Sequence, residues 1–247
     1  MRWIYLSPHL DDAVLSAGGL IYEQTKSAIP VEIWTFMCGY PPDLPEEEYS
    51  SFAQLLHMQW GFSSAREGIR IRREEDQSAA IRMGARVVHF DFLDCIYRRG
   101  ANGDWLYYEI SDPPREEDAE IPSQIAEAVS ARLRPDDVLV CQISVGSHVD
   151  HVLVRQAAEL LRRPLLYDAD IPYLFEKPHE LEPKTTGMEK SAYLVTETGL
   201  RSWEEAILEY KSQIAVLGDS FNTVEKAREA IQAYWAVQKG ISLWKVT

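Results

Sequence analysis

The chain has 247 residues, 46% of them hydrophobic, which is enough for one sizeable α/β core. Its formal net charge of −14, from 39 acidic against 25 basic residues, gives an average field that repels a phosphate backbone and excludes nucleic acid as an expected partner. No run reaches the roughly eighteen consecutive apolar residues of a membrane span, and the first residues lack a signal-peptide pattern. Cys38, Cys95 and Cys141 form no C-x-x-C pair and suit unpaired thiols in a reducing compartment, so the expected location is cytoplasmic.

In chain order, residues 2–7 form an apolar run that ends at Pro8. The spacing of Val14, Leu15, Gly18, Ile21 and Tyr22 then predicts a helix from Asp11 to about Ser27, and 31–38 reads as a second buried strand. Further strand-like runs lie at 85–92, 137–143 and 165–170, separated by helical patterns near 69–83, 117–133 and 150–162. This alternation predicts an α/β fold with a Rossmann-like layered, mainly parallel sheet and helices on both faces. Residues 39–45 and 97–116 read as long loops beyond strand ends, where such folds keep ligand contacts. Past residue 173 the pattern turns irregular, then gives helices near 202–217 and 223–238 with Ser202 and Asn222 as N-caps. The whole of 1–247 is therefore expected to be a single domain, with its core at about 1–173 and a C-terminal helical appendage at about 174–247.

The basic cluster Arg66, Arg70, Arg72 and Arg73 is interleaved with Glu67, Glu74, Glu75 and Asp76, as on a helix laced with ion pairs. His57, His89 and His179 are expected to be structural, and Ala17-Gly18-Gly19 lacks the G-x-G-x-x-G spacing of a nucleotide site. Trp105, Tyr107, Tyr108, Tyr173 and Phe175 are candidates either for sugar stacking or for loop packing.

Two clusters carry chemistry. Pro8-His9-Leu10-Asp11-Asp12 falls where the first strand gives way to its helix, and adjacent carboxylates there need a cation, an exposed position or a capping role. Ser147-His148-Val149-Asp150-His151 repeats that placement after a later strand. Parallel strands deliver their C-terminal ends to one edge, so the two clusters can converge on a single ion with a position left for water.

The order P-H-x-D-D then H-x-D-H resembles the PIG-L or LmbE-like N-acetylglucosaminyl deacetylase family. Arg72-Arg73-Glu74-Glu75, Asp94 and Tyr210-Lys211-Ser212-Gln213 also resemble family segments, the last of them a C-terminal helix, so the likeness runs from residue 2 to about 217. The resemblance implies Zn2+, or alternatively Fe2+, held by His9, Asp12 and His151, with Asp11 as general base. It further implies a polarising or proton-donating His148 oriented by Asp150, and substrate contacts from Arg72 and Asp94. The implied activity is hydrolysis of the N-acetyl or other N-acyl group of an N-acetylglucosamine-type sugar or glycoconjugate, by a protein that can form homo-oligomers. Leu10, Ala13 and Val149 depart from the usual P-H-P-D-D-E and H-P-D-H forms and mark a divergent subgroup. The rival readings are a catalytically silent metal- or sugar-binding protein and a non-haem iron oxygenase; the latter leaves Asp11-Asp12 unexplained.

Overall fold

The computed structural model describes residues 1–246 and arranges them around one sheet of seven strands. These are β1 (Trp3–Ser7), β2 (Val31–Thr35), β3 (Arg86–His89), β4 (Val138–Gln142), β5 (Leu165–Asp168), β6 (Met188–Leu194) and β7 (Gly240–Val246), in the order 3-2-1-4-5-7-6. The first five pair in parallel, while β7 runs antiparallel to both β5 and β6. Every residue of β1 is buried, as expected for a central strand covered on both faces.

The helices are α1 (Asp12–Lys26), α2 (Ser51–Trp60), α3 (Ala65–Met83), α4 (Ile121–Ser130), α5 (Val149–Leu160), α6 (Tyr173–Glu176), α7 (Leu181–Thr185), α8 (Glu197–Ile207) and α9 (Val224–Gln238). Right-handed crossovers run outward from β1 through α1 and α3, and in the opposite direction through α4 and α5, so the two sets cover opposite faces. The chain reverses direction across the sheet between β1 and β4, which opens a crevice beyond their C-terminal ends.

The mainly parallel sheet predicted from the sequence is present, and the strands predicted at 2–7, 31–38, 85–92, 137–143 and 165–170 all form. The helical stretch around His57 forms as α2, which Ser50 caps by accepting from the Ala53 N–H at 3.0 Å and Gly61 closes in the left-handed region at φ 70°. Three local expectations are corrected. The C-terminal part is not only helical, because β6 and β7 extend the same sheet. Thr196 and Thr223 cap α8 and α9 in place of Ser202 and Asn222, each hydroxyl accepting a backbone N–H of the first turn. Finally, α8 stops at Ile207, so Tyr210–Gln213 is a turn rather than a helix. Contacts to α3 hold it: Tyr210 OH donates to Asp76 at 2.9 Å, and Ser212 donates to Glu75 from its N–H at 2.9 Å and its hydroxyl at 2.6 Å. Thr247, the last residue of the expected domain, lies outside the described residues.

The C-terminal part is packed into the core. Trp203 of α8 is fully buried against Gly18 and Gly19 of α1, and its Nε1 donates to Val14 O at 2.7 Å. A Cβ on Gly18 would stand 2.4 Å from the Trp203 ring, so the small residues of the Ala17-Gly18-Gly19 run serve helix packing. All three cysteines are free and buried, and no helix among the described residues is long and apolar enough to cross a membrane.

Candidate active site

The loops after β1 and β4 meet at the crevice. Asp11 occupies the N-cap position of α1, yet its side chain makes no capping hydrogen bond. That work is taken over by Ser7, whose Oγ accepts from the Ala13 N–H at 3.1 Å. Asp12 turns inward instead, and its Oδ2 accepts from the His9 N–H at 2.8 Å. Opposite, His148 caps α5 by accepting the Asp150 N–H on Nδ1 at 3.1 Å, which leaves its Nε2 to carry the ring proton.

His9, Asp12 and His151 converge. The Asp12 Oδ2 lies 3.2 Å from His9 Nδ1 and 3.3 Å from His151 Nε2. Each ring's other nitrogen is held by a different carboxylate: His9 Nε2 by Asp150 Oδ2 at 3.0 Å, and His151 Nδ1 by Asp170 Oδ1 at 2.8 Å. Asp170 is itself fixed by the Ser144 and Val145 N–H groups at 3.1 and 2.9 Å. This pattern turns one lone-pair nitrogen of each ring towards Asp12.

The residues present suit a divalent ion. His151 Nε2 is buried and, despite its closeness to Asp12, makes no hydrogen bond. The spacing of 3.2–3.3 Å also matches the roughly 3.3 Å between ligand atoms of a tetrahedral ion with bonds of about 2.0–2.1 Å. Charge points the same way. Burial disfavours an imidazolium, but the carboxylates of Asp12 and Asp150 outweigh it and raise His9 well above the usual histidine range. Against the same burial, Asp12 and Asp170 raise His151 to about 9, so the surrounding carboxylates favour positive charge in this pocket. His148 goes the other way, lowered well below its ordinary value by burial and by the neighbouring His9 and His151.

Asp11 stands beside this group. Burial pushes its carboxyl up to about 6, opposed by Arg72 and assisted by Asp12, with Arg72 Nη2 at 3.7 Å from its Oδ2. Arg72 does not pair with a neighbouring glutamate, the alternative left open by its sequence, and its guanidinium lies 5.3 Å over the Trp60 ring. Asp94 does cap a short turn, accepting from the Ile96 N–H at 3.2 Å, but its other oxygen is 3.7 Å from His9 Nε2.

A cleft of about 320 Å³ opens over these groups. His9, Asp11, Asp12, Arg72, Asp94 and His148 line it, whereas Asp150 and His151 lie behind its wall. The Asp150 carboxylate is hydrogen-bonded to His9, while its hydrogen bond to His148 runs from the backbone N–H and its carboxylate stays within 4.8 Å of the His148 ring nitrogen. Of the aromatic candidates only Tyr173 lines the cleft; Tyr107 is buried and donates to Asp118 at 2.6 Å, and Phe175 stacks on Phe221. Leu10 and Ala13 are buried away from the cleft wall, so the departures from the family pattern do not alter its surface directly.

Sequence reasoning missed Trp60, Glu176, Gln213 and Gly218 in the lining, and Asp170 and Arg98 behind it. Gln213 had a signal, because it ends the Y-x-S-Q segment. Asp170 had none, since it follows a strand-like run without a motif.

The chain is similar along its whole length to known deacetylases. The chain is 24% identical to 2′-N-acetylparomamine deacetylase of Niallia circulans over 268 aligned positions, covering 99% of this chain and 94% of that protein. The zinc-inhibited form of teicoplanin deacetylase superposes with a TM-score of 0.83 at 25% identity, covering 100% of this chain and 98% of that one. For the A40926 pseudoaglycone deacetylase the TM-score is 0.75 at 26% identity, with coverage of 99% and 96%. Residues 4–161, more than half of the chain, match the PIG-L family, GlcNAc-PI de-N-acetylase, and the chain belongs to that family.

Proposed function

We propose that this protein is a deacetylase that hydrolyses the N-acyl amide of an amino sugar or its glycoconjugate. One divalent ion, zinc in the first instance and ferrous iron as the alternative, would be held by His9 Nδ1, Asp12 Oδ2 and His151 Nε2. The observation that carries the reading is the convergence of these three atoms, with both imidazoles oriented by separate carboxylates and an uncapped Asp11 alongside. The three relatives named above are a 2′-N-acetylparomamine deacetylase, a teicoplanin deacetylase and an A40926 pseudoaglycone deacetylase, which supports an acylated sugar conjugate as substrate.

When bound, a divalent ion supplies Lewis acidity that acidifies water and polarises the amide carbonyl. Asp11, free of any cap and raised to about 6 by burial, accepts the proton of the attacking water on a carboxylate oxygen. It then returns that proton to the departing amine nitrogen. His148 stays neutral and donates from Nε2 to the oxygen that develops negative charge, a contact worth about 10²–10³ in rate when such donors are removed. Arg72 limits the pKa rise of Asp11 and offers donors to sugar hydroxyls, with Asp94 as acceptor on the same wall. The products are a carboxylate and a free amino sugar.

The silent binding protein remains the rival reading. A binding module has no need of an uncapped buried carboxylate beside the ion site. The deciding experiment is fluorogenic detection of released amine from N-acetylglucosamine, its glycosides and larger acylated conjugates, with Asp11→Asn as control. Release by the wild type and loss in the variant are expected; a zinc-loaded wild type that releases no amine from the whole panel would overturn the assignment.

A further inference from the structure

Asp150 is a potential competitor for the ion. Besides His9, Asp12 and His151, the described residues offer two more buried donor groups, His9/His148/Asp150 and Asp94/Cys95/Asp150, each with its ligand atoms within 4.8 Å of one another. Asp150 belongs to both. Its carboxylate is fully buried, and a negative charge there attracts a cation unless something else holds it.

Arg98 holds it. Its Nη2 donates to Asp150 Oδ1 at 2.6 Å, while Oδ2 accepts the Cys95 N–H at 3.0 Å and faces His9 Nε2 at 3.0 Å. A carboxylate has about four lone-pair positions, so these three donors leave little for a metal. The guanidinium is itself fixed from several sides. Its Nη1 donates to Leu93 O at 3.3 Å, its Nε lies 2.9 Å from Asp118 Oδ2, and the Tyr107 ring stands 5.1 Å away. Arg98 touches neither the cleft nor the three expected ligands, yet it is only 6% exposed.

We propose that Arg98 selects among the overlapping donor groups: by occupying and neutralising Asp150 it confines the ion to His9, Asp12 and His151. Without it, a second zinc binds Asp94, Cys95 and Asp150, with the Cys95 thiol releasing its proton to solvent. Arg98 is thus a positioning residue acting through Asp150. The inference rests on the metal site proposed above, and its test separates the two.

The full chain is stripped of metal, reloaded with excess zinc, freed of unbound ion and analysed for zinc per chain by mass spectrometry. One zinc is expected in the wild type, two in Arg98→Met, and one in Arg98→Met/Asp150→Asn. Loading with Co2+ gives a second readout, since only the Arg98→Met protein should show the thiolate-to-cobalt charge-transfer absorption of Cys95. If Arg98→Met is insoluble, Arg98→Met/Asp118→Asn removes the facing charge as well, and the same readouts decide. A single zinc without thiolate absorption in the Arg98 variant overturns the role of Arg98 and leaves the primary site intact. A wild type that binds no divalent ion overturns the site on which the inference rests.

Discussion

The segments after β1 and β4 and the segments after β5 meet over the same cleft, but they bring different chemistry to it. After β1 and β4 come His9, Asp11, Asp12, His148 and His151, all ionisable and buried, and all but Asp11 tied by hydrogen bonds to carboxylates or backbone. From beyond β5 come Pro172, Tyr173, Glu176, Gln213, Val216, Leu217 and Gly218, a wall in which only Glu176 carries a charge. The first region supplies the ionisable groups and the second a largely uncharged wall. The C-terminal wall also depends on packing far from the cleft, through Trp203 on α1 and Tyr210 and Ser212 on α3.

This division is breakable by mutation. The largest effect is expected for Asp11→Asn, which removes the base without removing a metal ligand: kcat should fall about 10²–10⁴-fold with zinc content unchanged. Loss of zinc in that variant would move Asp11 into the ligand set. Next comes Trp203→Ala, which empties the contact between α8 and α1 and should cost about 3–5 kcal/mol in denaturant unfolding. A loss below 1 kcal/mol would mean that the C-terminal wall is docked elsewhere.

A smaller effect separates the regions by pH. Asp11 acts as a base only when ionised, and its carboxyl is raised to about 6 before any cation opposes the shift, so kcat/KM should fall by about tenfold per pH unit on an acid limb that lies no higher than that value. A bound cation shifts this limb to lower pH, and Asp11→Asn should abolish it. A limb that persists in the variant belongs to another group. The smallest effect is expected for Gln213→Ala, the loss of one neutral hydrogen-bonding group on the wall: KM should rise by roughly tenfold or less, with zinc content unaltered. A fall in zinc content in Gln213→Ala would erase the distinction between the two regions.

Legibility in the sequence follows the same boundary. The reaction side was readable because each ligand cluster sits directly after a buried apolar strand, so local order predicts spatial convergence. The wall was not, for physical reasons. Strand β6 lies at the sheet edge with a largely exposed sequence that mixes apolar and polar residues, and residues 195–239 separate it from its partner β7. The Tyr210–Gln213 segment has apolar spacing compatible with a helix, but Glu75 and Asp76 of α3 capture its hydrogen-bonding groups and hold it as a turn. Arg98 lay in a stretch read as loop, where nothing local indicates that its partners are Asp150 and Asp118.

The central claim is that a single divalent ion sits between His9, Asp12 and His151, and anomalous diffraction from zinc-loaded crystals at the zinc edge tests it most directly. The expected result is one peak within bonding distance of His9 Nδ1, Asp12 Oδ2 and His151 Nε2, absent in crystals of His151→Ala. A wild-type peak centred instead on Asp94, Cys95 and Asp150, or no peak in the cleft at all, would contradict it.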